Sequence, residues 1–124
     1  IQNYISMKNI NYWFMIPLCI ISTHLFAQDK HDEIIAVWDA GEAKVEVHQV
    51  GERYIGNPIN PKGERDSAIE VLNLEYNQGK WVGKIYSKER KRLYDVECEV
   101  KDAVLLLEVD AGLLSRELEW PQVK

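Results

Sequence analysis

The sequence predicts an all-β protein, a small antiparallel up-and-down β-barrel of about eight strands. Three observations lead to this prediction. From Ile34 onward, apolar and polar residues alternate in short runs that turn residues interrupt every 8–12 residues or so. Nowhere does the three-and-four apolar spacing of an amphipathic helix persist. Most connections are tight, which favours sequential hairpins closed into a barrel over a two-sheet sandwich.

Length and charge limit the remaining possibilities. The chain has 124 residues, enough for one domain, and Lys+Arg 15 against Asp+Glu 20 give a net charge of -5. A surface with this balance is poorly suited to neutralising phosphates, so we expect no nucleic-acid partner. Two cysteines exclude a scaffold held by several disulfides.

The N-terminal segment resembles a secretory signal. Residues 7–27 combine a cationic start at Lys8, an apolar stretch over 12–21 and an end at Ala27, after which we expect cleavage. The stretch has about half of the roughly 20 residues needed to span a bilayer, and Pro17 interrupts it. We therefore expect an exported protein of the periplasm or cell envelope without an integral membrane segment. We expect residues 1–6 to be upstream sequence, 28–33 to be a polar leader and 34–124 to form a single barrel domain.

The first half of the barrel is predicted as four strands, over 34–39, 44–50, 53–56 and 69–76. Strand 44–50 places Val45 and Val47 on one face and charged side chains on the other, as in a half-buried strand. Residues 57–67 contain Pro58 and Pro61 among polar residues, and this composition predicts a loop.

The second half is predicted as four more strands, over 81–86, 93–100, 104–109 and 113–120. Residues 77–80, Asn-Gln-Gly-Lys, are a strong hairpin signal, and 87–91 form another tip. In strand 93–100, Val96 and Cys98 share an apolar face while Glu97 and Glu99 lie on the other.

Five motifs in the same order resemble the bacterial secreted family called domain of unknown function 2147. They are Ala36-Val37-Trp38-Asp39 with Gly41-Glu42, Tyr54-Ile55-Gly56, Asn60-Pro61-Lys62-Gly63, Gly79 through Tyr86, and Ala111 through Trp120. The resemblance implies a short family member of the kind found in Bacteroidetes-type bacteria, a lipocalin-like barrel, export and no established activity. It also implies barrel closure by Trp38, with Arg116 over its indole as a cation–π contact and Trp120 nearby.

Four aromatic residues, Tyr54, Trp81, Tyr86 and Tyr94, are the candidate ligand-binding residues. Aromatic side chains offer apolar area with a polar handle, and an eight-stranded barrel can enclose one small ligand. The first hypothesis is therefore a binding module for a small apolar ligand. The alternative is a filled barrel that acts as a structural or protein-interaction module of the envelope.

No catalytic residue, metal site or cofactor is predicted, and we do not expect an enzyme. Cys98 is expected to be a buried apolar residue, and His31 and His48 lack partners at metal-ligand spacing. One basic cluster remains, formed by Lys88, Arg90, Lys91 and Arg92. It either keeps a hairpin tip soluble or contacts an anionic envelope component.

Overall fold

The structure, a computed structural model, describes residues 29–124, with side chains from residue 31 onward. The predicted signal, residues 1–27, lies outside the described residues. A short 3-10 turn, Asp29–Asp32, precedes the strands, and His31–Lys124 form one compact unit. Its eight strands are β1 Val37–Asp39, β2 Lys44–Val50, β3 Arg53–Ile59, β4 Leu72–Asn77, β5 Lys80–Ser87, β6 Arg92–Lys101, β7 Val104–Asp110 and β8 Ser115–Pro121. Over this range no helix has the length and hydropathy to cross a bilayer.

The eight strands form one sheet in chain order, each antiparallel to the next, which confirms the predicted up-and-down topology. The first strand and the residues after the last strand also contact each other. Trp38 of β1 forms a bridge with Gln122 just after β8, and the Val123 amide donates to the Val37 carbonyl oxygen at 2.9 Å. The two ends of the sheet are thus joined by backbone hydrogen bonds, and the barrel is nearly closed.

Alternation along each strand decides which side chains fill the barrel. Val45 and Val47 are buried while Lys44 is exposed, and Val96 and Cys98 are buried, as predicted. The interior cluster consists of Ile34, Trp38, Val45, Val47, Tyr54, Leu72, Leu74, Trp81, Ile85, Val96, Cys98, Leu105, Leu107, Val109 and Trp120. Three tryptophans inside so small a barrel leave its interior densely occupied by side chains.

The prediction of a loop from residue 57 was wrong at its start, because β3 continues to Ile59. Pro58 pairs with Val45, and its carbonyl oxygen accepts a hydrogen bond from Asp66 on the side away from β2. In a strand the N and O atoms of one residue face the same side, so the missing proline donor removes no rung of the β2–β3 ladder. Three predicted starts were also early: β1 begins at Val37, β4 at Leu72 and β8 at Ser115.

Two hairpin features position the strands that carry the candidate site. Gln78 and Gly79 both have positive φ, 51° and 91°, which is the two-residue turn predicted for 77–80. Farther along β5, a Cβ on Gly83 would overlap the carbonyl oxygen of Asn73 and lie 2.9 Å from Leu74 Cα. Only glycine permits this close approach of β5 to β4.

Candidate functional site

Trp38 and Trp120 are buried, as predicted for residues that close the barrel. Trp38 has no exposed surface, and its indole Nε1 donates to the Ile34 carbonyl oxygen at 2.9 Å. Trp120 is 7% exposed and lies opposite Leu105 in the β7–β8 ladder. Both indoles therefore contribute to the packed interior.

Arg116 does not lie over Trp38, so the predicted cation–π closure was wrong. Arg116 is exposed and pairs with Val109, six residues along the chain from Gln122, which bridges to Trp38. Six extended residues span about 20 Å, well beyond contact between a guanidinium and an indole. Within residues 31–124 the cation–π contact is instead Arg92 over the Tyr94 ring, at 5.5 Å.

Tyr54 and Trp81 are brought together inside one end of the barrel. Their ring centroids are 6.4 Å apart at an interplanar angle of 86°, and Tyr76 lies 5.1 Å from Trp81 at 67°. Both are edge-to-face geometries that aromatic rings prefer. His31, expected in a solvated leader, stacks on Tyr76 with centroids 3.9 Å apart. The prediction missed Tyr76, although the alternation of Leu72, Leu74 and Tyr76 points it inward.

The environment of Tyr54 favours its neutral form. Burial, followed by the nearby negative charge of Asp32 and by Tyr76, raises the pKa of the Tyr54 hydroxyl above its ordinary value of 10.0. Tyr54 is therefore a neutral, apolar part of the interior at physiological pH.

Tyr94 and Tyr86 do not join this cluster. Tyr94 faces inward opposite Ile85, four residues or about 13 Å along β5 from Trp81. Tyr86 has the opposite parity and faces outward beside Leu93, so its assignment to an internal site was wrong. The alternation of Trp81 and Ile85 on β5 was the signal that places Tyr86 outside.

Two buried polar atoms of the interior have no partner among the described residues. They are the indole Nε1 of Trp81 and the hydroxyl of Tyr94, at different levels of the barrel. Buried polar groups are nearly always hydrogen-bonded, so these two atoms are the only chemical sign of an internal guest in the described part of the chain.

The pocket that the structure describes is a groove of about 720 Å³ on the outside of the barrel. Val82 and the backbone of Gly83 form its floor, and Leu113 of the β7–β8 loop borders it. Leu113 is fully exposed, so its apolar surface is available to a partner in the groove. Sequence reasoning missed this groove because its walls come from strands that only pairing brings together.

The cationic residues of the groove are already neutralised. Arg53 pairs with Glu75 at 3.1 Å, and Lys84 with Asp95 at 2.6 Å. On the β7 side, Glu108 and Asp110 also line the groove, and neither forms an ion pair within the described residues. The groove therefore carries net negative charge.

This groove belongs to a larger acidic face on the outside of β6, β7 and β8. Register places Asp95 opposite Asp110, and places Glu97 opposite Glu108, which in turn faces Glu117. Lys84 neutralises Asp95, and Lys80 neutralises Glu97 at 3.0 Å. Like charges directly opposite each other are destabilising in a sheet, so the pair Glu108 and Glu117, which has no cation partner among the described residues, costs stability in the isolated chain. The acidic face comprises Asp95, Glu97, Glu99, Glu108, Asp110, Glu117 and Glu119.

The predicted basic cluster forms the tip of the β5–β6 hairpin. We define the basic tip as Lys88, Arg90, Lys91 and Arg92, all of which are exposed. None of the four forms an ion pair with a described residue. Lys91 has a positive φ of 55°, so the chain turns sharply here, and Arg92 lies over the ring of Tyr94.

Cys98 and His48 contribute to the packing and hydrogen bonding of the barrel. Cys98 is fully buried, as predicted, and burial, with a contribution from the Glu97 charge, raises the pKa of its thiol to about 12. His48 Nε2 lies 2.8 Å from Asn57 Oδ1, and Asn57 Nδ2 donates to the Ile69 carbonyl oxygen at 2.7 Å. No cluster of three potential metal ligands is found in the described part of the chain.

Comparison of the chain with protein-family models, with curated proteins and with solved structures gives no match in any of the three. The interior, the groove and the basic tip are therefore the features from which a function can be inferred.

Proposed function

We propose that this protein is a filled barrel that acts as a protein-interaction module of the cell envelope, and that its outer groove binds a basic segment of a partner. The observation that carries the proposal is the position of the groove, outside a barrel whose interior is occupied by side chains. The proposed envelope location rests on the signal-like residues 7–27.

Charge indicates the chemistry of the partner. Glu108 and Asp110 offer carboxylates that lack an internal cation, while Arg53 and Lys84 are already paired. A Lys or Arg side chain from a partner would supply the missing positive charge, and charge complementarity of this kind determines which partners are accepted.

The apolar parts of the groove fit the same occupant. Val82 on the floor and Leu113 at the border lie beside the carboxylates. The long aliphatic stems of Lys and Arg pack against apolar surface while their charged ends remain at polar groups. An extended segment with alternating basic and aliphatic residues therefore matches the groove best.

A peptide of alternating lysine and valine tests this proposal by fluorescence anisotropy. We expect Glu108→Gln with Asp110→Asn to weaken peptide binding about tenfold, because each substitution removes the charge that would attract a lysine of the peptide. The control is Glu52→Gln with Asp102→Asn, two exposed acids in other turns, which changes the net charge equally. If both double variants weaken binding equally, the peptide is attracted only by the net charge of the protein, and binding at the groove is contradicted.

A second candidate, binding of a small apolar ligand inside the barrel, is favoured by one observation. The Trp81 indole Nε1 and the Tyr94 hydroxyl are buried without a partner among the described residues. Native mass spectrometry of the protein from its own cells, before and after refolding from denaturant, tests this candidate. A mass excess lost on refolding would support an internal ligand, whereas identical masses would favour the filled barrel.

The same spectrum tests the proposed export, because cleavage after Ala27 leaves a chain that begins at Gln28.

A binding role rather than catalysis is part of the proposal. Cys98 is unsuited to be a nucleophile, because it is fully buried and burial raises the pKa of its thiol to about 12, the opposite of what a thiolate requires.

A further inference from the structure

Two surfaces of opposite charge, the groove and the basic tip, lie on the same pair of strands, β5 and β6. We propose that the basic partner of the groove is a second copy of this chain, and that each copy inserts its basic tip into the groove of the other. This inference rests on the proposed function, since it names the partner of the same groove.

Each of the two surfaces carries charges without a counter-ion, and the other surface carries the opposite charge. The four cations of the basic tip form no ion pair within the described residues, and neither do Glu108 and Asp110 in the groove. Within the described residues of one chain, no cation of the basic tip pairs with a carboxylate of the groove, and Tyr86 and Leu93 lie between the two surfaces on β5 and β6. Contact between copies satisfies both surfaces at once.

Spacing along β5 indicates how two copies would meet. Lys84 lies in the groove and Lys88 in the basic tip, four residues or about 13 Å apart. If two copies place their β5–β6 outer faces together about a two-fold axis, the strands run in opposite directions. Each tip then faces the other groove, and both contacts form at the same time. A two-fold interface of this kind closes and produces a dimer rather than a filament.

The residues between groove and tip suit the centre of such an interface. Tyr86 and Leu93 are directly opposite each other on the outer face, between Lys84 and the basic tip. Leu93 is 58% exposed, which is costly for an apolar side chain in an isolated barrel. At the two-fold axis, Tyr86 and Leu93 of one chain would contact the same two residues of the second chain. An apolar centre flanked by charged contacts is the usual anatomy of a protein interface.

Sedimentation equilibrium of the protein, in the form its own cells produce, tests the inference with two charge-reversed variants. The tip variant carries Lys88→Glu and Lys91→Glu, and the groove variant carries Glu108→Lys and Asp110→Lys. We expect the parent to dimerise, with a dissociation constant on the order of 10–100 μM for so small an interface. Each variant alone should be monomeric at concentrations that dimerise the parent, because both of its contacts become repulsive.

An equimolar mixture of the two variants is the decisive sample. One contact is then native and the other is reversed at both partners, so the heterodimer should form although neither variant self-associates. Circular dichroism and thermal melting of each variant exclude unfolding as the cause of a monomer. A parent that stays monomeric, or a mixture that fails to associate, would overturn the inference.

Peptide binding separates failure of the inference from failure of the proposed function. A monomeric parent that still binds the lysine–valine peptide at Glu108 and Asp110 would retain the groove as a binding site but exclude a second copy as its partner. A parent that neither dimerises nor binds the peptide would contradict both. Tip-dependent binding to anionic phosphatidylglycerol vesicles without dimerisation would likewise overturn the inference, and would assign the basic tip to a membrane surface.

Discussion

The indole Nε1 of Trp38 donates a 2.9 Å hydrogen bond to the carbonyl oxygen of Ile34, and neither residue has any exposed surface. The bond ties the segment before β1 to the strand that closes the sheet. Because Trp38 also bridges to Gln122, one side chain and its backbone connect the start of the described chain, its end and the interior.

Replacement of Trp38 should therefore be among the most destabilising changes in the barrel. We expect Trp38→Ala to lower the free energy of unfolding by about 3–5 kcal/mol through loss of a large buried side chain. Trp38→Phe keeps most of the volume but leaves the Ile34 carbonyl oxygen without its donor, at a cost of about 1–3 kcal/mol. Urea unfolding measures both, with Leu113→Ala as the exposed control. A Trp38→Phe variant as stable as the parent would show that the hydrogen bond contributes nothing.

Gly83 should tolerate no side chain. We expect Gly83→Ala to lower stability by several kcal/mol or prevent folding, because its Cβ would overlap the Asn73 carbonyl oxygen, which is fixed backbone. Gly79→Ala is the comparison, since Gly79 has open space around it and only a positive φ of 91°. It should cost about 1–2 kcal/mol. Equal thermal shifts for the two variants would contradict the close approach of β5 to β4.

Asn57 should hold the connection between β3 and β4 in place. Its side chain is 2% exposed and bonds both His48 and the Ile69 carbonyl oxygen. We expect Asn57→Ala to cost about 1–3 kcal/mol and to speed proteolytic cleavage within residues 60–71, because the half-buried His48 ring and the Ile69 carbonyl oxygen lose the side chain that joins them. Asn77→Ala, at an exposed position of β4, serves as control. Unchanged cleavage of the Asn57→Ala variant would mean that the backbone alone orders this segment.

Cys98 should make the barrel less stable in alkali. Its folded pKa, about 12, exceeds the ordinary value of 9.0 that applies in the unfolded chain. The thiol therefore contributes stability that is complete below pH 9.0 and is lost as the pH rises through the folded value, by up to about 1.4 kcal/mol per pH unit. Urea unfolding at pH 8 to 11 (roughly the range in which the unfolded thiol ionises) measures the slope. Cys98→Ala should flatten it, and the remaining slope should come from Tyr54 and Lys80, whose pKa values are also raised, Tyr54 by burial and Lys80 by its hydrogen bond to Glu97. If Cys98→Ala leaves the pH dependence of the unfolding free energy unchanged, a group other than Cys98 causes the loss of stability in alkali.

Strands and their faces could be predicted because alternation is local. Val45 and Val47, or Val96 and Cys98, point inward because successive side chains of a strand point to opposite sides. The hairpin at Gln78 and Gly79 was equally readable from its residue types. Even the error at Tyr86 was avoidable, since the parity of β5 excludes it from the interior.

The candidate site could not be predicted, because it depends on which strands become neighbours. Glu108 of β7 borders the same groove as Arg53 of β3 only after the intervening strands pair and curve. The distance between Arg116 and Trp38 likewise follows from the register at which β8 meets β1. Register is set by the closure of the whole sheet.

The sequence by itself determined an all-β chain of eight short strands, the inward faces of strands such as β2 and β6, and the position of a basic hairpin tip. Only the tertiary structure decided that Trp38 bonds Ile34 rather than meeting Arg116, that Tyr86 faces outward beside Leu93, and that carboxylates gather beside the groove. The physical reason is the separation along the chain of the residues that interact. Side-chain alternation and turn chemistry act between neighbours in the chain, whereas closure, register and surface charge arise from contacts between residues far apart in it.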